Sequence, residues 1–266
     1  MIAVVRRYLR LTVLLCGVSM HRLTAYRMDF AVGVASFVIR VGGQIALIGL
    51  VYRYVDDLAG WGYHQALFLL GFSLLSRALD RLFTDQLWIL AWQLVRSGEF
   101  HRYLIRPVNP LYLLLSERFM YPEGIGELAL GLAITLASAG ALDLHLDVAQ
   151  WLLFVPMVVC GAVIHASIKT LIASCSFWSV SSLPVLSAVH QLGEFGSYPL
   201  GLYHPALQAV LTWVLPFAFT AYIPARYLLF GAVDGLIWLL PVTAVAAAVA
   251  YGVFRIGVNR YEMTGS

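Results

Sequence analysis

Long apolar stretches alternate with short polar intervals along this chain. A helix needs about 20 mainly apolar residues to cross a bilayer, and six stretches are close to that length or longer. The pattern therefore predicts an all-α membrane protein with six transmembrane helices. We place these spans at residues 28–53, 64–86, 118–141, 149–171, 177–198 and 234–255.

The first 27 residues differ from these spans because arginines interrupt them. On a helical projection Arg6, Arg7 and Arg10 share one face, whereas Leu9 and Val13 belong to another. A secretory signal peptide is an alternative, but no small-residue cleavage site follows the apolar stretch. We predict that residues 1–27 form an interfacial helix lying on membrane lipid at the cytoplasmic surface.

Residues 199–230 are apolar in the middle, but prolines divide them into pieces too short to span a membrane. These prolines are Pro199, Pro205, Pro216 and Pro224. Irregular backbone at membrane depth is tolerated where surrounding protein buries it. We therefore predict a re-entrant helical hairpin that enters from the outer side, before the last span.

The longest polar interval between two apolar regions covers residues 93–110, QLVRSGEFHRYLIRPVNP. It carries the ionisable side chains of Arg96, Glu99, His101, Arg102 and Arg106. Apolar residues recur among them at near-helical spacing, namely Leu94, Phe100, Tyr103 and Leu104. This pattern is typical of a short amphipathic helix on a membrane surface. Pro107 disfavours α geometry at Arg106, so a helix over residues 98–105 must end there.

Composition and charge agree with a membrane protein and indicate its orientation. The 266 residues are 61% hydrophobic and 12% charged, whereas soluble domains have about 25% charged residues. With the spans placed in this way, most basic residues lie on the inner side of the membrane or at the inner ends of the spans. Arg53 and Arg226 lie on the outer side. Basic loops favour the cytoplasm, so both termini and residues 93–110 are predicted to be cytoplasmic. No basic face remains elsewhere, which argues against nucleic-acid binding.

Arg40 is the only basic residue deep within an outward-going span. Counting from Met28 places it about 18 Å along the helix, near mid-membrane. A charge at that depth must face protein or water. Glu127 is the best-placed partner, and Glu123, one turn shallower, is the second choice. We interpret the pair as a structural contact that fixes helix register, with a polar contact inside a transport pathway as the alternative.

Four further charges lie in the second half of the span at residues 64–86, namely Arg77, Asp80, Arg81 and Asp85. They are three or four residues apart, which places them on neighbouring positions of one helix surface. We therefore expect them to pair with one another.

Motifs for nucleotide binding or catalysis are absent from the sequence. The pattern G-x-x-x-x-G-K-[ST] does not occur, and the only lysine, Lys169, follows Ile168 rather than glycine. Neither H-E-x-x-H nor G-x-S-x-G occurs. We predict no catalytic residue, metal ligand or cofactor in this chain.

Two other classes of function remain open on the residues alone. Glu123 and Glu127 share a helix face and could serve an intramembrane enzyme, although counter-charges for embedded arginines are the simpler interpretation. A secondary transporter or channel is the other alternative. Such carriers favour inverted repeats with broken helices in both halves, and only residues 199–230 show a break.

Three stretches resemble permease subunits of type-2 ATP-binding-cassette (ABC) exporters. The first is V-R-S-G-E-F-H-R-Y-L-I-R-P at residues 95–107, which follows the pattern R-x-G-x-(F/L)-x-x-(Y/L)-L-x-R-P from Arg96 to Pro107. The second is Y-P-L-G-L-Y-H-P-A-L at residues 198–207. The third is V-L-P-F-A-F followed by I-P-A-R-Y-L-L-F-G, within residues 214–231. The resemblance extends to the layout of the whole chain.

The resemblance implies a half-transporter of the bacterial plasma membrane. Two permeases, identical or homologous, would form the pathway, and separate ATPase subunits would bind ATP and magnesium beneath them. Residues 96–107 would be the coupling helix that docks in a cleft of the ATPase. Its implied contact residues are Arg96, Gly98, Glu99, Phe100, Arg102, Tyr103, Leu104, Arg106 and Pro107, with Phe100, Tyr103 and Leu104 filling the cleft. The alternative is a solvated basic loop on the cytoplasmic side of the membrane that binds no partner protein.

Overall fold

A computed structural model describes residue 6, residues 10–17 and residues 27–261 of the chain. The structure is all-helical, with 78% helix and no strand in these ranges, which confirms the predicted all-α class. Most of the interfacial helix predicted for residues 1–27 falls outside the described residues. Residues 10–17 of it form a helix, which we name α1.

The remaining helices follow in chain order. The first half of the chain contains α2 (Arg27–Val51), α3 (Tyr63–Thr84), α4 (Gln86–Ile89), α5 (His101–Leu104), α6 (Pro110–Ser116) and α7 (Pro122–Ala141). The second half contains α8 (Val148–Ser174), α9 (Leu183–Glu194), α10 (Pro205–Ala209), α11 (Tyr222–Phe230) and α12 (Leu239–Arg260). Helices α4 and α10 each continue directly into a π-helical turn, at Leu90–Leu94 and Val210–Val214.

Four helices of the described chain are long and apolar enough to cross a membrane. They cover Val32–Val51, Glu123–Ala141, Val148–Phe177 and Leu236–Arg260. A fifth candidate consists of two pieces, Pro205–Val214 and Phe217–Phe230, which are bent by 75° relative to each other. The chain is thus a multi-pass membrane protein, whereas the count of six spans stays a prediction.

Two of the six predicted spans are not among these candidates. Helix α3 is long enough, but it carries Arg77, Asp80 and Arg81. Helix α9 occupies part of the predicted span at residues 177–198, yet it has only 12 residues. At 1.5 Å per residue it extends about 18 Å, well short of the hydrocarbon thickness of about 30 Å.

Helix α3 lies at the centre of the fold and packs against α7 and α8. Its close approach to α7 depends on glycine. A β-carbon on Gly71 would lie 2.5 Å from the Thr135 hydroxyl, and one on Gly131 would lie 2.9 Å from the Leu74 β-carbon. Small residues at such contacts let membrane helices pack closely. The charged half of α3 is consequently enclosed by neighbouring helices.

The region predicted as a re-entrant hairpin, residues 199–230, contains the bent pair of helical pieces. Pro216 lies at the bend between the π-helical turn Val210–Val214 and the next helical turn, Phe217–Phe219. Helix α11 then ends at Gly231, whose φ of 66° is in the left-handed region that favours glycine. The entry of this hairpin from the outer side stays a prediction.

Candidate functional site

The segment formed by residues 96–107, hereafter the 96–107 segment, begins with a tight turn at Gly98. Its φ of 75° is left-handed, where a side chain would be strained. The Phe100 N–H donates to the Leu94 carbonyl at 3.0 Å, which folds the chain back onto the end of the preceding helix. Because of this turn, only the four residues of α5 are α-helical. The helix predicted for residues 98–105 is therefore shorter than expected.

An aromatic cluster anchors the 96–107 segment to two long helices. The Phe100 side chain is 0% exposed. Its ring centroid lies 4.9 Å from that of Phe177, 5.3 Å from Tyr261 and 6.2 Å from Phe254. The Tyr261 hydroxyl also donates to the Gly98 carbonyl at 2.9 Å. Since Phe177 follows α8 and Phe254 lies on α12, the cluster joins the segment to both.

A second contact fixes the segment to α6 through the carboxylate of Glu117. The Tyr103 hydroxyl donates to Glu117 Oε2 at 2.6 Å, Arg102 Nη2 donates to it at 3.0 Å, and Gln86 Nε2 donates to it at 2.7 Å. Burial, followed by the hydrogen bond to Glu117, raises the pKa of Tyr103 above its ordinary value. The phenol therefore stays protonated and keeps donating at neutral pH.

The segment thus has one buried side and one exposed side. Phe100 and Tyr103 are buried, so the prediction that their rings fill the cleft of a partner is wrong, because the chain's own helices already enclose them. The exposed side chains are Arg96, Ser97, Glu99, His101, Leu104, Ile105, Arg106 and Pro107. Ile105, which is 77% exposed, is the most prominent apolar group on this side.

A buried cluster of charges lies between α3, α7 and α8. Its shortest ion pair joins Lys169 Nζ to Asp80 Oδ2 at 2.6 Å, and both side chains are 5% exposed. The Thr84 hydroxyl donates to Asp80 Oδ1 and accepts from Lys169 Nζ at 3.0 Å. This triad contains equal numbers of opposite charges, so each buried charge is compensated as burial requires.

The two glutamates of α7 face arginines of α3. Arg81 lies 2.9 Å from Glu123 and 3.2 Å from Glu127, while Arg77 lies 3.7 Å from Glu127. These contacts agree with the simpler interpretation of the carboxylate pair, as counter-charges for arginines. The expected pairing of the α3 charges with one another is wrong for Arg77, Asp80, Arg81 and Asp85. Arg77, Asp80 and Arg81 pair with residues of other helices, and Asp85, just after α3, pairs with Arg118 in the turn before α7 at 3.8 Å.

Arg40 pairs with Glu194 of α9, and the two charged atoms lie 3.3 Å apart. The prediction that Glu127 is its partner is therefore wrong, because Glu127 is completely buried between Arg77 and Arg81. The Arg40 and Glu194 side chains are 39% and 37% exposed. Glu194 also lies 3.7 Å from Arg77, so it links Arg40 to the buried cluster.

A small cavity of about 230 Å³ opens onto the cluster. Its lining includes Asp80, Trp88, Tyr121, Lys169 and His190. Sequence reasoning missed the roles of Asp80, Lys169 and Glu194 in this site. The signal in the sequence that could have found them is that they are charged residues within apolar helices of a chain with few charges. Charged side chains within a membrane usually pair with one another. Among the described residues, no group of His, Cys, Asp and Glu side chains is arranged to hold a metal ion.

Comparison with known proteins identifies one matching family. The family model described as "ABC-2 family transporter protein" matches residues 38–265. That range includes the 96–107 segment and the residues of the buried charge cluster. No curated protein and no solved structure matches the chain.

Proposed function

Because this chain belongs to the ABC-2 family of transporter proteins, we propose that it is the membrane-spanning permease subunit of an ABC exporter. It forms the substrate pathway across the bacterial plasma membrane, with both termini in the cytoplasm. A separate ATPase subunit binds ATP and magnesium and drives the transport. The family match over most of the chain and the apolar spans support this assignment.

The observation that carries the proposal is the two-sided construction of the 96–107 segment. Its exposed side combines an apolar group, Ile105, with charges that include Glu99 and Arg106. Protein interfaces combine a few apolar or arginine anchors with a polar rim in this way. The ATPase docks on this exposed side, and the cleft contacts come from Leu104 and Ile105 rather than from Phe100.

The buried side of the segment provides a route by which nucleotide state reaches the membrane helices. Phe100 packs on Phe177 at the end of α8 and on Phe254 of α12. Closely packed aromatic side chains cannot be compressed. A displacement of the segment by the ATPase is therefore passed to both helices. Phe100 is a positioning residue for this movement and not a docking contact.

A second permease, identical or homologous, completes the pathway. In the most apolar part of α2 and of α12, only 17% of the residues are buried within the chain, compared with 50% in that of α8. On α2, a β-carbon at Gly42 or Gly43 would meet no atom within 4 Å. These two glycines leave room for the close approach of another helix. The exposed face of α2 supports a dimer built around it.

Copurification tests the proposal. The full chain is expressed together with the ATPase encoded by a neighbouring reading frame, and affinity purification through the permease should retain that ATPase. ATP hydrolysis by the complex in lipid nanodiscs should exceed that of the ATPase alone. If the permease is purified intact and active in transport with no ATPase bound, a secondary transporter is the correct class instead.

A further inference from the structure

A larger cavity, of about 660 Å³, lies beside the 96–107 segment and separate from the buried charge cluster. One part of its lining is apolar. Leu11 and Leu15 come from α1, Ile89 comes from α4 and Leu113 comes from α6. The cavity therefore lies between the predicted interfacial helix and the core of the protein. Its volume is within the range of about 300–1,000 Å³ that is usual for small-molecule sites.

The opposite part of the lining is basic. Three arginines, Arg102, Arg106 and Arg118, line the cavity together with a single carboxylate, that of Glu117. Among the described residues of the lining, positive charges outnumber negative ones. The Nε atom of Arg102 is buried and has no hydrogen-bond partner in the described part of the chain. The cavity thus offers positive charge.

Two of the three arginines already pair with carboxylates, Arg102 with Glu117 at 3.0 Å and Glu99 at 4.0 Å, and Arg118 with Asp85 at 3.8 Å. Glu117 already accepts hydrogen bonds from Tyr103 and Gln86 as well as from Arg102. Arg106 is exposed, and its guanidinium is available at the rim. An anionic group that enters the cavity would therefore pair with Arg106 without displacing the ion pairs of Arg102 and Arg118.

The geometry points to an anionic phospholipid as the ligand of this cavity. Its phosphate lies beside Arg106, and an acyl chain follows the apolar wall formed by Leu11 and Leu15. Basic pockets between helices at a membrane surface bind anionic head groups. The neighbouring side chains Val13 and Leu14 of α1 are 71% and 66% exposed, as expected for a helix face immersed in lipid. A soluble phosphate compound shares the head-group chemistry but leaves the apolar wall unused.

The inference goes beyond the proposed function and does not depend on an ATPase partner. It is tested with the purified full chain in detergent, titrated with phosphatidylglycerol or phosphatidylcholine and measured by native mass spectrometry. Phosphatidylglycerol should bind more tightly. Arg106→Gln should weaken its binding about five-fold, because one basic side chain near an anionic surface contributes about that factor. Arg106→Lys, which keeps the charge, should retain most of the affinity.

Two controls distinguish a lipid site in this cavity from general attraction of lipid to basic residues and from a site for soluble phosphates. Arg260→Gln removes an exposed arginine at the end of α12 that does not line the cavity, and it should leave phosphatidylglycerol binding unchanged. Glycerol 3-phosphate and inorganic phosphate at millimolar concentration should not displace the lipid. The inference is overturned if Arg106→Gln binds phosphatidylglycerol as the wild type does, if Arg260→Gln loses as much affinity, or if glycerol 3-phosphate displaces the lipid.

Discussion

Gly257 is the residue that admits the Phe177 ring to the aromatic anchor. A β-carbon on Gly257 would overlap Phe177 Cδ2, so Gly257→Ala must displace the ring against which Phe100 packs. Overpacking of this kind costs about 1–3 kcal/mol. We expect a lower melting temperature of the purified protein in detergent. Gly252→Ala on the same helix is the matched control, because a β-carbon there meets nothing within 4 Å. Equal melting temperatures for the two variants would contradict the close packing at Phe177.

The buried pair of Lys169 and Asp80 should contribute far more to stability than the exposed pair of Arg40 and Glu194. Lys169→Met leaves the Asp80 charge buried and unpaired, which costs about 3–5 kcal/mol. Adding Asp80→Asn should restore part of that loss. Arg40→Ala should cost less than Lys169→Met, since its partner Glu194 keeps a second arginine, Arg77, 3.7 Å away. Thermal unfolding in detergent measures all of these variants. A loss for Arg40→Ala as large as that for Lys169→Met would show that the two pairs do not differ in burial.

At the residue scale, sequence could identify the charges that need partners but not the partners themselves. Depth along a helix gave Glu127 as the partner of Arg40, yet depth does not say which helices are neighbours. Helix α3 also packs against α7, and its Arg77 and Arg81 pair with Glu127. Glu194 could not be found by this reasoning because it lies on α9, whose start and length the hydrophobic pattern misplaced.

At the scale of elements, the position of the 96–107 segment was predictable and its internal structure was not. The run of charges and Pro107 located it, whereas the left-handed turn at Gly98 and the hydrogen bond from Phe100 to Leu94 shortened its helix. An amphipathic pattern also does not say which apolar side chains face the protein. Phe100 faces the protein and Ile105 faces outward, a distinction that depends on where α8 and α12 end.

The arrangement of elements across the membrane is tested by topology mapping. Reporter tags placed after Ser266 and near Ser97 should report a cytoplasmic location, because basic residues concentrate at those ends of the predicted spans. A tag in the exposed turn near Asp143, between α7 and α8, should report the outer side. Finding the tags near Ser97 and Asp143 on the same side would contradict the path assigned to α7.

At the scale of the whole molecule, composition and the alternation of apolar and polar stretches were sufficient for the fold class, and the family resemblance is confirmed by the match over residues 38–265. The span count was less predictable. In the part of the chain that the structure describes, length and hydropathy alone identify four helices, or five with the bent pair. Such a test does not identify the charged helix α3, because it considers only the composition of the helix itself. Neighbouring helices, and not that composition, make α3 compatible with the interior of the protein.

The proposed dimer predicts a specific effect at the exposed glycines of α2. Gly42→Leu should fill the open space on that helix and lower the dimer fraction in native mass spectrometry, because a larger side chain prevents close approach. Gly140→Leu on α7 is the matched control, since that position also has no atom within 4 Å of an added β-carbon. A dimer fraction that is unchanged by Gly42→Leu would place the interface elsewhere.

The central claim is that the exposed side of the 96–107 segment docks the ATPase while Phe100 holds the segment in place. The most direct measurement is the affinity of the ATPase for the permease in nanodiscs, compared between the wild type, Ile105→Asp and Val233→Asp. Val233 is 55% exposed and lies in the turn after α11. Val233→Asp therefore places the same carboxylate at an exposed apolar position outside the segment. Ile105→Asp should weaken binding about 30-fold, because an interface anchor contributes about 2 kcal/mol, whereas Val233→Asp should bind normally. Wild-type affinity of the Ile105→Asp variant would contradict the claim.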